Sequence, residues 1–439
     1  MMKPTVSRHL IPIAIALLAT IPGAYLRLSG LGEQLLVQNN GRQAHWVAIA
    51  AGLAVLGASF LLLWACDAVQ EDISQTLALA IVALIAVLPE YAVDMYITWQ
   101  AGSKPEYAHY AIANMTGANR LIIGAAWLVI VGIYWLKTRK AVKIEQERRT
   151  ELFFLGIATV YAFFIALKGS LSWYDGLVYF AIYVWYIRVA GRRPCLECEA
   201  EGPAELLLSF PTVKRRLATL GMFLIAAGAI AMNAAQFSEG LLTTGAVLHI
   251  NKATLIQWLA PIASEAPEFT VAIMFTLRKR AGLALGSLLS ANLNQWTLLV
   301  GMIPWVYGFA HGSFAHPIPM DSNQMHEILL TAAQSLLGIM MLSTLRLSLG
   351  QGIVLFTLFI GQLVAPPIIV AHPAWTFFGF TPDPKLVHPT FALTYVVISL
   401  VLLLMKPGRL SGLWQGAKPD TFCSLPGVED EDDVVLSKA

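Results

Sequence analysis

The chain has 439 residues, of which 57% are hydrophobic and only 13% charged, where an average soluble domain holds roughly 25% charged residues. The net charge of +2 says little about partners and gives no reason to expect nucleic acid, and four cysteines (Cys66, Cys195, Cys198, Cys423) build no disulfide framework. The apolar residues run in unbroken blocks such as 53–64, 121–135 and 391–405, whereas a soluble helix keeps one charged face.

About 20 consecutive apolar residues span a bilayer as a helix. In chain order such segments fall near 9–28, 45–66, 74–99, 107–135, 151–167, 176–190, 217–243, 252–276, 281–308, 325–345, 349–371 and 388–405. They predict an all-α, polytopic membrane protein of about twelve transmembrane helices, with the lipid bilayer as its first partner. The opening segment reads as a retained helix, because residues 1–28 lack a clear small-residue cleavage site.

Lys and Arg accumulate in cytoplasmic loops. Lys137, Arg139, Lys140, Lys143, Arg148 and Arg149 fill one loop; Arg192, Arg193, Lys214, Arg215 and Arg216 fill the next but one. Arg278, Lys279 and Arg280, then Arg346, mark later alternate loops, while opposite loops hold few basic residues, among them Lys104, Lys168, Lys252 and Lys385. Both termini are therefore expected in the cytoplasm, and the bias suits a bacterial inner membrane.

Two helices carry the same unusual dipeptide. One reads Leu88-Pro89-Glu90-Tyr91, the other Ala266-Pro267-Glu268-Phe269. Each is followed by a helix of small residues and an Asn: Ala113-Asn114-Met115-Thr116-Gly117-Ala118-Asn119, and Gly286-Ser287-Leu288-Leu289-Ser290-Ala291-Asn292. The copies stand an odd number of helices apart, so they cross the membrane in opposite directions. Inverted repeats of this kind mark secondary transporters, with the site near the midplane. A proline inside a helix frees a carbonyl, and freed carbonyls with carboxylate and Asn oxygens form a hard-cation site. The helices are accordingly expected to be interrupted near Pro89 and Pro267, with the two glutamates facing each other.

These motifs resemble the two alpha repeats of the calcium/cation antiporter superfamily, which includes the sodium/calcium exchangers. That family's first signature is Gly-Thr-Ser-Leu-Pro-Glu, and its second is Gly-Ser-Asn with a further polar residue three positions on. Ser172-Trp173-Tyr174-Asp175-Gly176 and Gly350-Gln351-Gly352-Ile353 resemble two further stretches of the family. The resemblance covers about 45–371. It implies two inverted-topology five-helix repeats, 45–190 and 217–371, joined by a cytoplasmic loop, 191–216. An extra N-terminal helix and loop (1–44), an extra C-terminal helix (372–405) and a cytoplasmic tail (406–439) flank them. It also implies that Glu90 and Glu268 bind the cation, with Asn119 and Asn292 beside them. No enzyme and no resident cofactor are implied; Ca2+, Na+ or H+ are cargo.

The chain departs from the family pattern. Gly-Thr-Ser becomes Ile85-Ala86-Val87 in the first repeat and Ala263-Ser264-Glu265 in the second, and the later polar positions become Ile122 and Gln295. Hydroxyls are lost and Glu265 is gained as a further candidate ligand. Asp94, one turn after Glu90, falls on the same helix face. Clustered carboxylates rarely all ionise together, so an exchangeable proton is expected among Glu90, Asp94, Glu265 and Glu268. Arg120, an additional cation in the same region, is expected to pair with Asp94 or with a repeat glutamate, because a lone charge in lipid is expensive. Asn114, Ser264 and Gln295 are accessory candidates. The cation exchanged stays open at this point: Ca2+ or another cation for Na+ or H+, Na+/H+ exchange without calcium, a channel, or a homologue in which Arg120 replaces the ion.

Other motifs read plainly. Cys195-Leu196-Glu197-Cys198 has the spacing of half a zinc site, but four ligands are usual and no second pair lies near, so a loop with reduced thiols is expected. The acidic run 429–433 reads as a solvated tail. His311 and His316 read as surface residues, His109 as an entrance residue, and Trp173, Trp185 and Trp305 as interfacial. Neither a His-Glu-x-x-His nor a Gly-x-Ser-x-Gly motif is present.

Overall fold

The structure is a computed structural model that describes residues 6–69, 72, 88–191, 202–249, 252–372 and 383–418. Ile85, Ala86, Val87, the Cys195–Cys198 pair and the acidic run 429–433 lie outside those residues. Almost every described element is a helix. α1 (Val6–Leu28) and the short α2 (Leu31–Val37) come first. The first half holds α3 (Ala44–Val69), α4 (Leu88–Ala101), α5 (Tyr107–Leu121), α6 (Trp127–Thr138), α7 (Arg149–Lys168) and α8 (Trp173–Ala190). After α9 (Pro203–Leu208), the second half holds α10 (Thr212–Val247), α11 (Lys252–Leu277), α12 (Ala281–Asn294), α13 (Val300–Ala310), α14 (Ser322–Leu342) and α15 (Leu349–Ala371). α16 (Val387–Met405) and α17 (Gly408–Trp414) close the described chain.

The halves share two devices. A five-residue π-helical turn joins α5 to α6 (Ile122–Ala126), and another joins α12 to α13 (Gln295–Leu299). Each begins three residues after the Asn of its motif, Asn119 or Asn292. Short antiparallel strands also cross between the halves. β1 (Val142–Lys143), before α7, pairs with β4 (Arg346–Leu347), after α14; β2 (Ser170–Leu171), after α7, pairs with β3 (Ile318–Pro319), before α14. Exchanging the halves exchanges the two ladders. The β1–β4 ladder carries Lys143 and Arg346, and the β2–β3 ladder carries none of the basic clusters, so the molecule has one basic face and one opposite it.

Local chemistry fixes the helix ends. α7 stops at Gly169, whose φ of 74° is left-handed and favours a residue without Cβ. Ser172 and Asp175 form a reciprocal capping box that starts α8, and Lys168 pairs with the buried Asp175. Ser348 and Gln351 start α15 in the same way, as do Asp321 and Gln324 for α14. The stretches that resemble the family around Asp175 and Gln351 are therefore helix starts.

The expectation of an interrupted second Pro-Glu helix is not met. α11 runs unbroken from Lys252 to Leu277 through Pro261 and Pro267. Proline's fixed φ lies in the helical range, so the chain continues while forfeiting one hydrogen bond at each ring. For the first copy, the description begins at Leu88, one residue before Pro89.

Among the described residues, eight helices are long and apolar enough to cross a membrane. α4, α8, α11 and α12 are not among them; α4 is described over only 14 residues, and the polar groups of α11 and α12 dilute their apolar runs. α3 and α10, the first helices of the two halves, pack together along their length with α1 against α3. At 1.5 Å per residue, α10 is roughly 54 Å long. A satellite core of Ala58, Leu61, Leu62, Met222, Ala226 and Ile230 joins them. The main core surrounds the fully buried Trp127, Trp296, Phe154 and Tyr179.

α5 crosses α11 at Gly117, where an added Cβ would stand 1.9 Å from the carbonyl oxygen of Gln257. Backbone meets backbone there, so neither side can yield by a rotamer change. Gly117→Val is expected to lower the apparent melting temperature of the purified protein, by an overpacking penalty of about 1–3 kcal/mol. Gly132→Val, in open space on α6, is the matched control and is expected to leave it unchanged.

Candidate functional site

The second and third helices of each half converge. α4 supplies Glu90 and Asp94, α11 supplies Ser264, Glu265 and Glu268, α5 supplies Asn114 and Asn119, and α12 with its π turn supplies Asn292 and Gln295. Glu90 is 2% exposed, Glu265 3%, and Asp94, Asn119, Asn292 and Gln295 are fully buried. Gln295 ties the halves together: its amide donates to Glu90 Oε2 at 3.2 Å and to Glu265 Oε1 at 2.7 Å. Asn292 Nδ2 donates to Asn119 Oδ1 at 3.3 Å, and Asn119 Nδ2 is held by the Met115 carbonyl at 3.1 Å. The carboxyls of Glu90 and Glu265 are in side-chain contact, as are those of Glu265 and Glu268.

The π turn at Gln295 has a local purpose. It adds a residue to one helical turn, which re-aims side chains, and such turns recur at functional sites. In the second half the residue that opens the turn is Gln295; in the first half it is Ile122, also buried. Only one of two equivalent positions therefore presents an amide.

Acceptors outnumber donors. Glu90 Oε1, Glu265 Oε2, Glu268 Oε2, Asn292 Oδ1 and Gln295 Oε1 are buried without a hydrogen-bond partner. Buried polar atoms are almost always paired, so five orphaned oxygens from both halves in one region define a place that can accept a cation or protons. Among the described residues no three His, Cys, Asp or Glu side chains stand in ready metal geometry. Asp94 lies beside Asn114, with both its carboxylate oxygens and Asn114 Oδ1 unpartnered. The Ser264 hydroxyl is committed to the carbonyl of Ala260 on its own helix, at 3.2 Å.

Arg120 corrects the sequence reading. It pairs with Glu327 of α14, and neither Asp94 nor a repeat glutamate is its partner. Its Nε donates to the Thr116 carbonyl at 3.3 Å, and its guanidinium lies 5.3 Å from the Trp258 ring centre. The physical reason is direction: Arg120 follows Asn119 and so faces a different side of α5, toward α14. Glu327 also accepts from Gln257 Nε2 at 2.8 Å and lies 3.3 Å from His388 Nδ1 of α16. Gln334 Nε2 donates to the Arg120 carbonyl at 3.0 Å, and Gln334 Oε1 accepts from Gln362 Nε2 at 3.1 Å. Glu327, Gln257 and His388 escaped the sequence reading. Glu327 sits at the edge of the predicted segment 325–345, where an acid reads as interfacial. Its one visible signal is that Arg120 needed a carboxylate somewhere.

Breaking a buried ion pair from one side costs about 3–5 kcal/mol. Glu327→Gln is expected to destabilise the purified protein on that scale, and Arg120→Gln/Glu327→Gln to recover most of the loss. Arg120→Gln and Asp94→Asn are expected to add to within about 0.5 kcal/mol, as uncoupled sites do. Thermal unfolding of the three single and two double variants in one detergent measures both couplings.

The comparisons with known proteins follow the same division into halves. The model of the family described as sodium/calcium exchanger protein matches residues 44–191 and 218–366, more than half of the chain. The crystal structure of the H+/Ca2+ exchanger CAX is 38% identical over 92% of this chain and 97% of that one, with a TM-score of 0.80. The sodium-calcium exchanger NCX_Mj soaked with 10 mM Na+ and 10 mM Sr2+ is 18% identical over 75% of this chain and 98% of its own, with a TM-score of 0.49. The same exchanger soaked with 100 mM Na+ and 10 mM Sr2+ gives 18%, 76%, 99% and 0.48. No curated protein matches the sequence.

Proposed function

The chain belongs to the sodium/calcium exchanger protein family, and from that premise we propose that it is a secondary active antiporter exchanging Ca2+ for H+ at the carboxylate–amide site between its halves. The observation that carries the reading is the surplus of buried acceptor oxygens on Glu90, Glu265, Glu268, Asn292 and Gln295. Ca2+ takes 6–8 oxygen ligands in flexible geometry, and carboxylate and amide oxygens are its usual donors. Two carboxyls in contact need a proton or a cation between them. Glu90, Glu265 and Glu268 form two such contacts in series. Ca2+ and protons therefore compete for the same oxygens, and that competition couples their movements.

Proton coupling is favoured over sodium by what the site contains. Of the positions where the family signature places hydroxyls, the Ser264 hydroxyl is turned back onto its own helix, and Glu265 occupies another. The 38% identity to the H+/Ca2+ exchanger CAX points the same way. Arg120 does not stand where the cation would, because Glu327 holds it, which disfavours the reading of a homologue that binds an internal cation instead of an ion. The basic face is read as cytoplasmic, which places both termini on that side and suits a bacterial inner membrane.

Proteoliposomes test the proposal. An imposed pH gradient is expected to drive Ca2+ uptake, and a Na+ gradient at fixed pH is not. Glu90→Gln and Glu268→Gln are each expected to reduce the flux on the order of a hundredfold, since losing one charged partner in a buried site costs about 2–5 kcal/mol. Flux driven by Na+ alone overturns proton coupling. Wild-type flux in either folded variant overturns the site.

A further inference from the structure

One seam of the protein carries polar groups that neither the fold nor the exchange site uses. On α8, Asp175, Tyr179 and Tyr183 recur every four residues and are all buried, so they share one side of the helix. The hydroxyls of Tyr179 and Tyr183 have no hydrogen-bond partner, and neither does that of Tyr91, the residue after Glu90 on α4. Tyr91 lies within electrostatic reach of Tyr183, Glu90 and Asp94. α8 also packs against the π turn that carries Gln295, whose amide holds Glu90. The inner end of the seam is therefore at the carboxylate–amide site.

The outer end reaches the surface. Tyr161 of α7 donates its hydroxyl to Asp175 Oδ1 at 2.7 Å, and its ring meets that of Tyr179 edge-on with centroids 5.3 Å apart. Asp175 also pairs with Lys168, whose side chain is 18% exposed. Both flank β2, on the face opposite the basic one. The capping box accounts for Asp175 but not for the tyrosines above it. Phenylalanine would fill nearly the same volume, and burying a hydroxyl without a partner costs free energy.

Buried polar atoms are almost always paired, and an ordered water is the partner where the protein supplies none. The spacing suits one water at each step. Four residues rise about 6 Å along a helix, and a water that bridges two oxygens spans roughly 5–6 Å. We propose that Tyr179, Tyr183 and Tyr91, bridged by water, relay protons between the Asp175–Tyr161 pair near the surface and the Glu90 carboxylate. The relay rests on the reading of proton-coupled exchange, and it gives the proton a route apart from that of Ca2+. A tyrosine hydroxyl both donates and accepts. Each oxygen takes up one proton as it passes its own hydrogen onward, so one O–H bond breaks for every one that forms. No tyrosine ends charged, and the net change is one proton moved to or from Glu90. Chains of polar side chains serve as proton relays within membranes, whereas neutral hydroxyls in single file lack the carboxylates that draw Ca2+.

Tyrosine-to-phenylalanine variants separate relay from packing, because each keeps the ring and removes only the hydroxyl. The full chain and its Tyr179→Phe and Tyr183→Phe variants are reconstituted in proteoliposomes. Ca2+ uptake driven by a pH gradient is measured beside equilibrium Ca2+ binding and thermal unfolding in detergent. Each variant is expected to slow proton-driven uptake at least about tenfold, a fraction of what a positioned proton-transfer group supplies. Ca2+ affinity is expected to stay as in the wild type, and the melting temperature to hold or rise, since an unpaired buried hydroxyl is gone. Tyr395→Phe removes an equally buried, unpartnered hydroxyl on α16, outside the seam, and is expected to leave uptake unchanged. Should one seam variant fail to fold, the other decides. Wild-type uptake in a folded seam variant overturns the relay alone, as does a loss of uptake that comes with a loss of Ca2+ binding. A wild-type protein that a pH gradient does not drive overturns the exchange reading and the relay with it.

Discussion

Carboxylates buried in an apolar medium must be paired or neutralised, and the central constraint of this fold is that its acids are only partly paired. Gln295 has one amide group with two hydrogens, and it spends them on Glu90 from one half and Glu265 from the other. Other donors at the centre are turned elsewhere: Asn292 Nδ2 to Asn119, Asn119 Nδ2 to the Met115 carbonyl and the Ser264 hydroxyl to the Ala260 carbonyl. A buried polar network that is incompletely satisfied is unstable in proportion to what is missing, and what is missing here is positive charge. The proposed exchange of Ca2+ for protons rests on that imbalance.

The position of Gln295 depends on the backbone beneath it. The π turn after α12 sets its direction, and the matching turn after α5 presents Ile122 instead. The two halves are thus equivalent in path and unequal in chemistry. The acids are equal in number but not in place: α11 adds Glu265 before its Pro-Glu pair, and α4 adds Asp94 after its own. Close approach makes the overlap possible. Gly117 lets α5 touch the α11 backbone at Gln257, and the same Gln257 places its amide on Glu327. One helix crossing therefore serves both the transport region and the Arg120 network.

Charge outside the centre is segregated. Arg120 and Glu327 neutralise each other within the core, with His388 of α16 beside the carboxylate. That helix lies beyond the residues that match the family model, so an added helix supplies a titratable group to the interior. The larger basic clusters gather on one face, where Asp72, just after α3, pairs with Arg215 and Arg216 of α10. Hydrogen bonds from Arg215, and then Arg216, hold the Asp72 carboxyl down at about 2. That ion pair is fully formed above the ordinary carboxylate range and is lost only as pH falls toward that value.

The sequence by itself determined the class of protein, because long apolar runs admit one solvent. It also determined which residues meet at the centre. Glu90, Glu265, Asn119, Asn292 and Gln295 were legible because polar groups in lipid-spanning helices stand out against their neighbours, and because the motif occurs twice. The tertiary structure decided the pairings. Arg120 was visible as an anomaly, but its partner depended on the rotation of α5 about its axis and on which helix packed there; α14 does, and Glu327 is on it. The unbroken path of α11 through Pro267 was likewise beyond the sequence, since proline's φ permits both a kink and a continuing helix and packing chooses. The opposition of Lys143 to Arg346 was hidden for a similar reason: two residues 203 positions apart become neighbours only when two halves of opposite orientation pair their loops.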